Sequence, residues 1–136
     1  MTRLLDTNIV SDLVRNPGGM VAERIRTVRE SNVCTSIVVA AELRFGAEKK
    51  GSPRLANRIA AVLDTLEVLP LEAPADAKYA MIRAHLERAG RPIGANDLLI
   101  AAQALALGCT LVTDNEKDFC RVPGLSIENW LRRKQP

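Results

Sequence analysis

Between Asp97 and Gly108 the chain reads Leu98-Leu99-Ile100-Ala101-Ala102-Gln103-Ala104-Leu105-Ala106-Leu107. A helix apolar on every side has to be covered on more than one of them. Gly108 supplies the left-handed residue that ends such a helix. Cys109-Thr110-Leu111-Val112-Thr113 follows at once and is the clearest strand in the chain. An all-round apolar helix feeding a short apolar strand is the sequence of a layered α/β domain, with that helix between layers.

The remaining segments keep the same alternation. Leu4-Leu5 is a short buried strand, and Ile9, Val10, Leu13 and Val14 form a helical stripe after it, with Thr7 or Asn8 as cap. Asn16-Pro17-Gly18-Gly19 breaks the chain before a second helix with Met20, Val21, Ile25 and Val28 inward. Val33 to Ser36 reads as a strand. Ile37 to Lys49 reads as a helix, capped by Thr35 or Ser36 and apolar almost all round at its start, with Glu42 inside the apolar stretch. Gly51-Ser52-Pro53 turns into a helix carrying Leu55, Ile59, Val62, Leu63 and Leu66 on one face, which makes an αα-hairpin. Val68 to Leu71 is a strand placed at an edge by Pro70. Pro74 opens a helix with Ala77, Met81, Ala84 and Leu86, and Leu125 to Ile127 is a last short strand. The expectation is one domain over residues 1–136, a three-layer α/β/α sandwich with a mostly parallel central sheet.

Composition narrows the class. No apolar run reaches the ~20 residues of a membrane span, and Asp6 interrupts any signal-peptide pattern at the start. Cys34, Cys109 and Cys120 form no C-x-x-C pair, so they read as small apolar residues in a reducing cytoplasm. The net charge of +3 is mild. Arginine greatly outnumbers lysine, which suits planar contacts to phosphate.

The acids are better placed than they are numerous. Two apolar strands, one near each end, stop at an aspartate: Leu5-Asp6 and Val112-Thr113-Asp114. If the strands are parallel, both acids share one rim of the sheet. Asp97 opens the helix before the second strand, and a right-handed crossover brings a helix start to that rim as well. Glu42 follows the second strand by about a turn or more, and Asp118 lies four residues past Asp114. Each acid alone could cap a helix. Several converging on one crevice call for a cation, because like charges raise one another's pKa. Oxygen ligands without a His/Cys set select a hard ion, Mg²⁺ or Mn²⁺, and such an ion serves phosphoryl chemistry.

These blocks together resemble the PIN-domain family. Leu5-Asp6-Thr7-Asn8, Ala41-Glu42-Leu43 with Gly46, Gly94-Ala95-Asn96-Asp97-Leu98, Leu111-Val112-Thr113-Asp114-Asn115, and Phe119 through Trp130 carry the resemblance, in order and over nearly the whole chain. Within it, the chain is similar to the VapC ribonuclease toxins of bacterial type II toxin–antitoxin systems. The resemblance implies a metal-dependent endoribonuclease, with Mg²⁺ or Mn²⁺ as cofactor, held inactive by a VapB-type antitoxin. It implies a homodimer, and operator DNA bound only through the antitoxin. By position, Asp6, Asp97 and Glu42 match the metal-holding acids. Asp118 and Asp114 both stand for the fourth, and Thr7, Asn8, Thr113 and Asn115 match the groups that orient the carboxylates.

Other features carry less. His85 stands mid-helix without a triad signature, and Glu67, Glu72 and Asp76 flank turns and a strand edge. Phe45 and Trp130 read as core or interface rather than base platforms, so RNA recognition would rest on shape and phosphate contacts. Two other functions fit the acids less well. A phosphoaspartyl phosphatase wants a second aspartate two residues past the first, where Asn8 stands. A non-catalytic RNA- or partner-binding module would have no use for the full acid set.

Overall fold

The structure, a computed structural model, describes residues 2–132; Arg133 and Lys134, which with Arg132 read from the sequence as a basic tail, lie outside the described residues. Strands β1 (Arg3–Leu5), β2 (Val33–Ser36), β3 (Glu67–Leu69), β4 (Thr110–Val112) and β5 (Ile127–Glu128) form one sheet in the order β3-β2-β1-β4-β5. Every neighbouring pair runs parallel. Around the sheet pack α1 (Thr7–Arg15), α2 (Met20–Val28), α3 (Ile37–Lys50), α4 (Pro53–Thr65), α5 (Ala75–Arg88), α6 (Ala95–Leu107) and α7 (Glu116–Phe119), giving the expected three layers.

Strand order places the crevice. From β1 the chain moves outward to β2 and β3, whereas from β4 it moves the other way to β5. The connections therefore diverge between β1 and β4, and in open parallel sheets the gap beyond the carboxyl ends at such a point is where ligands bind. Register puts Leu5 beside Val112. The residue after each strand, Asp6 and Thr113, then opens the crevice.

Most boundaries follow the local chemistry. The first helix begins earlier than the Thr7 or Asn8 cap implies: Asp6 itself is the cap, its carboxylate accepting from the Thr7 N–H at 2.8 Å. Ser36 caps α3, Ser52 caps α4 with Pro53 at the first helical position, and Gly108 at φ 67° ends α6. β3 lies at the sheet edge and stops just before Pro70. The strands at 109–113 and 125–127 are shorter or shifted, running Thr110–Val112 and Ile127–Glu128, with Leu111 opposite Ile127 and Val112 opposite Glu128. In α5 the buried face is Ala75, Ile82 and Leu86, which leaves Met81 exposed.

The apolar helix that constrains the fold is enclosed in its middle. Leu98, Ile100, Ala101, Ala102, Gln103 and Ala104 are buried, whereas Leu107 at the far end is half exposed. Gln103 is the polar member, and its amide has a full set of partners. Its carbonyl accepts from the Ser36 hydroxyl, and its nitrogen donates to Pro70 O at 3.1 Å and Leu69 O at 3.3 Å. One side chain thus ties α6 to the ends of β2 and β3. Gln103→Leu keeps the volume but strands a buried hydroxyl and two carbonyls, so it lowers unfolding stability by about 1–3 kcal/mol in urea titration. Cys34 and Cys109 are buried as small apolar residues; Cys120 is exposed, against the same expectation, since α7 turns it outward.

Candidate active site

Asp6 is the hub. It is 3 % exposed, and both its oxygens are occupied. Oδ1 accepts from the Thr7 N–H, and Oδ2 accepts from the Thr113 hydroxyl at 2.7 Å. Thr113 in turn accepts the Asn115 N–H at 3.0 Å. On the other side the Thr7 hydroxyl donates to Glu42 Oε1 at 2.8 Å, which joins α1 to α3. Thr7 and Thr113 therefore fix two carboxylates from opposite flanks of β1. Burial pushes the Asp6 carboxyl up and Glu42 adds to that, against the hydrogen bonds from Thr113 and Thr7.

Asp97 lies in the first turn of α6 and is half-buried. Burial first, and then the charges of Asp6, Glu42 and Asp118, raise its pKa from 3.8 to about 6. The helix start predicted to reach the rim does so. Four acids from β1, α3, α6 and α7 now share one field.

Asp114 is not among the acids acting on Asp97. Parallel register sets Thr113, not Asp114, beside Asp6, since the Asp6 N–H donates to Val112 O. The next residue turns outward and is exposed. Its carboxylate accepts from Asn129 Nδ2 at 3.0 Å, and its N–H donates to Asn8 Oδ1 at 3.0 Å. Asp118 comes back toward the crevice through the single turn of α7. Asn115 Nδ2 donates to its Oδ2 at 3.2 Å, and Arg121 lies 3.8 Å from its Oδ1.

Asn129 was missed from sequence. Its amide bridges Asp114 Oδ1 and Glu116 Oε2 at 3.0 and 3.2 Å, and its carbonyl accepts the Leu131 N–H. The signal was available: Asn129 directly follows β5, as Asp6 follows β1. Phe45, read as core or interface, is 65 % exposed and therefore not core. It shares an open apolar surface with Ile37, Val38 and Leu99 beside Glu42. α3 begins less enclosed than its apolar composition suggests, because Ile37 and Ala41 face outward. Trp130 is core, and His85 is exposed.

The donor set can be tested against a hard divalent ion. Among the described residues, no three His, Cys, Asp or Glu side chains form a closed set ready to hold an ion. The rim is therefore not the cage of a structural metal. Mg²⁺ asks for less: one or two carboxylates, several waters, and phosphate oxygens from the substrate. An Asp97 carboxyl raised by burial first and then by three neighbouring acids sits in a negative field, and that field fits such an ion.

The PIN domain family matches residues 3–125. A tRNA(fMet)-specific endonuclease VapC from Shigella flexneri is 38 % identical over 128 residues, 93 % of this chain and 96 % of that protein. Ribonuclease VapC2 from Rickettsia felis is 36 % identical over 132 residues, 96 % of this chain and 98 % of that protein. Among solved structures, VapBC2 from Rickettsia felis bound to a promoter DNA fragment superposes with a TM-score of 0.89 at 34 % identity, covering 96 % of this chain and 99 % of that one. DNA-bound VapBC from Salmonella typhimurium gives 0.84 at 35 % identity, covering 96 % and 98 %. With its acids at the β1/β4 switch point and relatives matched from end to end, the chain belongs to the PIN-domain family and, within it, to the VapC ribonucleases.

Proposed function

We propose that this protein is the toxin of a type II toxin–antitoxin pair, an endoribonuclease dependent on Mg²⁺ or Mn²⁺ and neutralised by a VapB-type antitoxin. The observation that carries the reading is the shared field of Asp6, Glu42, Asp97 and Asp118. Four acids from four parts of the chain are costly together unless a cation lies among them. Asp6, Asp97 and Glu42 would hold the metal, with Asp118 holding it or orienting its water. A bound divalent ion lowers the pKa of water and steadies the charge that builds on the phosphoryl group.

The chain's own part is positional. Thr113 and the Thr7 N–H fix both Asp6 oxygens, and the Thr7 hydroxyl fixes Glu42, so neither acid has to reorganise during reaction. Asn115 does the same for Asp118. Water adds to phosphorus, the bond to the leaving ribose oxygen breaks, and the products are a phosphate monoester and a free hydroxyl. Asp114 serves as a brace between Asn8 and Asn129 rather than as a metal ligand. Asn8 is thereby committed to the Asp114 N–H, where a phosphoaspartyl phosphatase would carry an acid.

A structured RNA such as tRNA is the substrate we favour, supported by the relative named for tRNA(fMet). Operator DNA is reached through the antitoxin, in line with the promoter-bound relatives. A homodimer in the cytoplasm completes the reading, and among the described residues no helix is long and apolar enough to cross a membrane. RNA cleavage by the purified protein stops with EDTA and returns with excess Mg²⁺ or Mn²⁺. Cleavage indifferent to the chelator, in a preparation free of other nucleases, defeats the proposal.

A further inference from the structure

Four acids around the crevice repel a polyanion, so RNA affinity has to come from cations beside them. Arg24, on α2, is seated in an unusual way. Its guanidinium carbon lies 5.7 Å from the centroid of the buried Trp130 ring, so the planar group is oriented over the indole while the side chain stays partly exposed. Its Nε is buried and has no hydrogen-bond partner among the described residues. The nearest acid, Glu128, stands 3.9 Å from Nη2, beyond hydrogen-bond reach. Glu128 is already engaged: its Oε1 accepts from Arg3 Nε at 3.1 Å and Trp130 Nε1 at 3.0 Å. Arg24 is thus oriented by stacking, with only a long ion pair to a Glu128 carboxylate that it shares with Arg3.

It lines an open cleft of about 290 Å³ together with Thr27, Asn129, Trp130 and Arg132; Glu23 is the one acid on the lining. Arg132 is largely exposed, and its Nη2 lies 3.2 Å from Glu116 Oε2. An exposed pair of that kind is worth little and can be shared with a better anion. Asn129, just past the carboxyl end of β5, holds Asp114, the residue after the Thr113 that meets Asp6. The cleft therefore lies beside the carboxyl edge of the sheet, on the Asp114 side. Two guanidiniums with planar donor forks suit the oxygens of a phosphodiester.

We propose that this cleft is a subsite for an RNA backbone phosphate flanking the scissile one, held by Arg24 and Arg132. The inference rests on the ribonuclease reading above and names where that enzyme grips its substrate. A phosphate there offsets the repulsion of the rim acids and registers the strand before cleavage. It carries no base preference, because phosphate contacts position rather than specify.

The test measures binding of a fluorescent tRNA across a salt series, with Asp97→Asn as background so that no RNA is consumed. Adding Arg24→Gln or Arg132→Gln weakens binding about 5- to 30-fold and lowers the slope of log K against log salt by about 0.7–0.9 per arginine. In the active protein the same changes raise KM while kcat holds. Arg24→Lys keeps the charge without the fork; it restores the slope and only part of the affinity, and it serves if Arg24→Gln fails to fold. Folded variants with unchanged affinity and slope overturn the subsite. So does weaker capture of a cognate antitoxin with RNA binding untouched, which would assign the cleft to a protein partner. Wild-type protein that neither binds nor cuts RNA overturns the ribonuclease reading and the subsite with it. Wild-type protein that cuts RNA while the variants match it overturns the subsite alone.

Discussion

Asp97→Asn removes Mg²⁺-dependent RNA cleavage, by a factor on the order of 10³ or more, and leaves a folded protein. The side chain is half-buried at the start of α6, where Gly94 is the cap position and no side-chain cap bond depends on Asp97. Asparagine fits the same space, so the loss falls on charge and not on packing. Asp6→Asn loses as much activity but is a less clean probe. Its amide would face the Thr113 hydroxyl that now donates to Oδ2, and Thr113 already accepts from the Asn115 N–H. That variant gives up stability along with function. Two further changes divide the remaining acids. Asp118→Asn falls sharply, whereas Asp114→Asn keeps activity within about tenfold, the scale of a lost orienting contact. Cleavage assays with circular dichroism on each variant check all four. Undiminished cleavage by Asp97→Asn removes the metal-site assignment, and a collapse at Asp114 with Asp118 silent exchanges their roles.

Much of this was legible in the residues, for identifiable reasons. The apolar run from Leu98 to Ala104 had to be covered on more than one side, and all of it but Leu99 is buried. Strand ends marked by acids located the rim because parallel strands share a carboxyl edge, and helix direction located Asp97. What could not be read was register. Counting along a strand shows where an acid lies but not which residue faces its neighbour, and a one-residue step reverses the side-chain direction. Val112 pairs with Leu5, so Thr113 meets Asp6 while Asp114 turns to Asn129. The first cap was misassigned for a related reason: Asp6 ends a strand and caps a helix at once, and sequence offered Thr7 and Asn8 for the second task. Arg24 is invisible from sequence. Its setting depends on α2 meeting Trp130, more than a hundred residues later.

The same acids make the metal-free protein less stable as pH rises. Asp97 titrates near 6 in the folded protein and at 3.8 ordinarily, so between those values the folded state holds more protons than the unfolded one. Stability then falls with rising pH. The contribution is fully present below about 3.8 and gone once pH has passed well above 6. Asp6, also raised, acts in the same direction. For a half-exposed group the net cost at pH 7.5 is about 1–2 kcal/mol after solvent screening. Asp97→Asn therefore raises the Tm of the metal-free protein at pH 7.5, by roughly 2–6 °C, and that gain disappears at pH 4. The difference between variant and wild type at each pH cancels the groups far from Asp97 and leaves Asp97 with the acids coupled to it. Mg²⁺ reverses the ranking: it binds the folded wild type and stabilises it by mass action, whereas the variant gains little. Differential scanning calorimetry at two pH values, with EDTA or Mg²⁺, reads all of this without measuring activity. A variant no more stable than wild type at pH 7.5 in EDTA would mean that neither burial nor the neighbouring acids penalise the Asp97 carboxylate in the folded chain, and the case for a cation beside it would lose its physical basis.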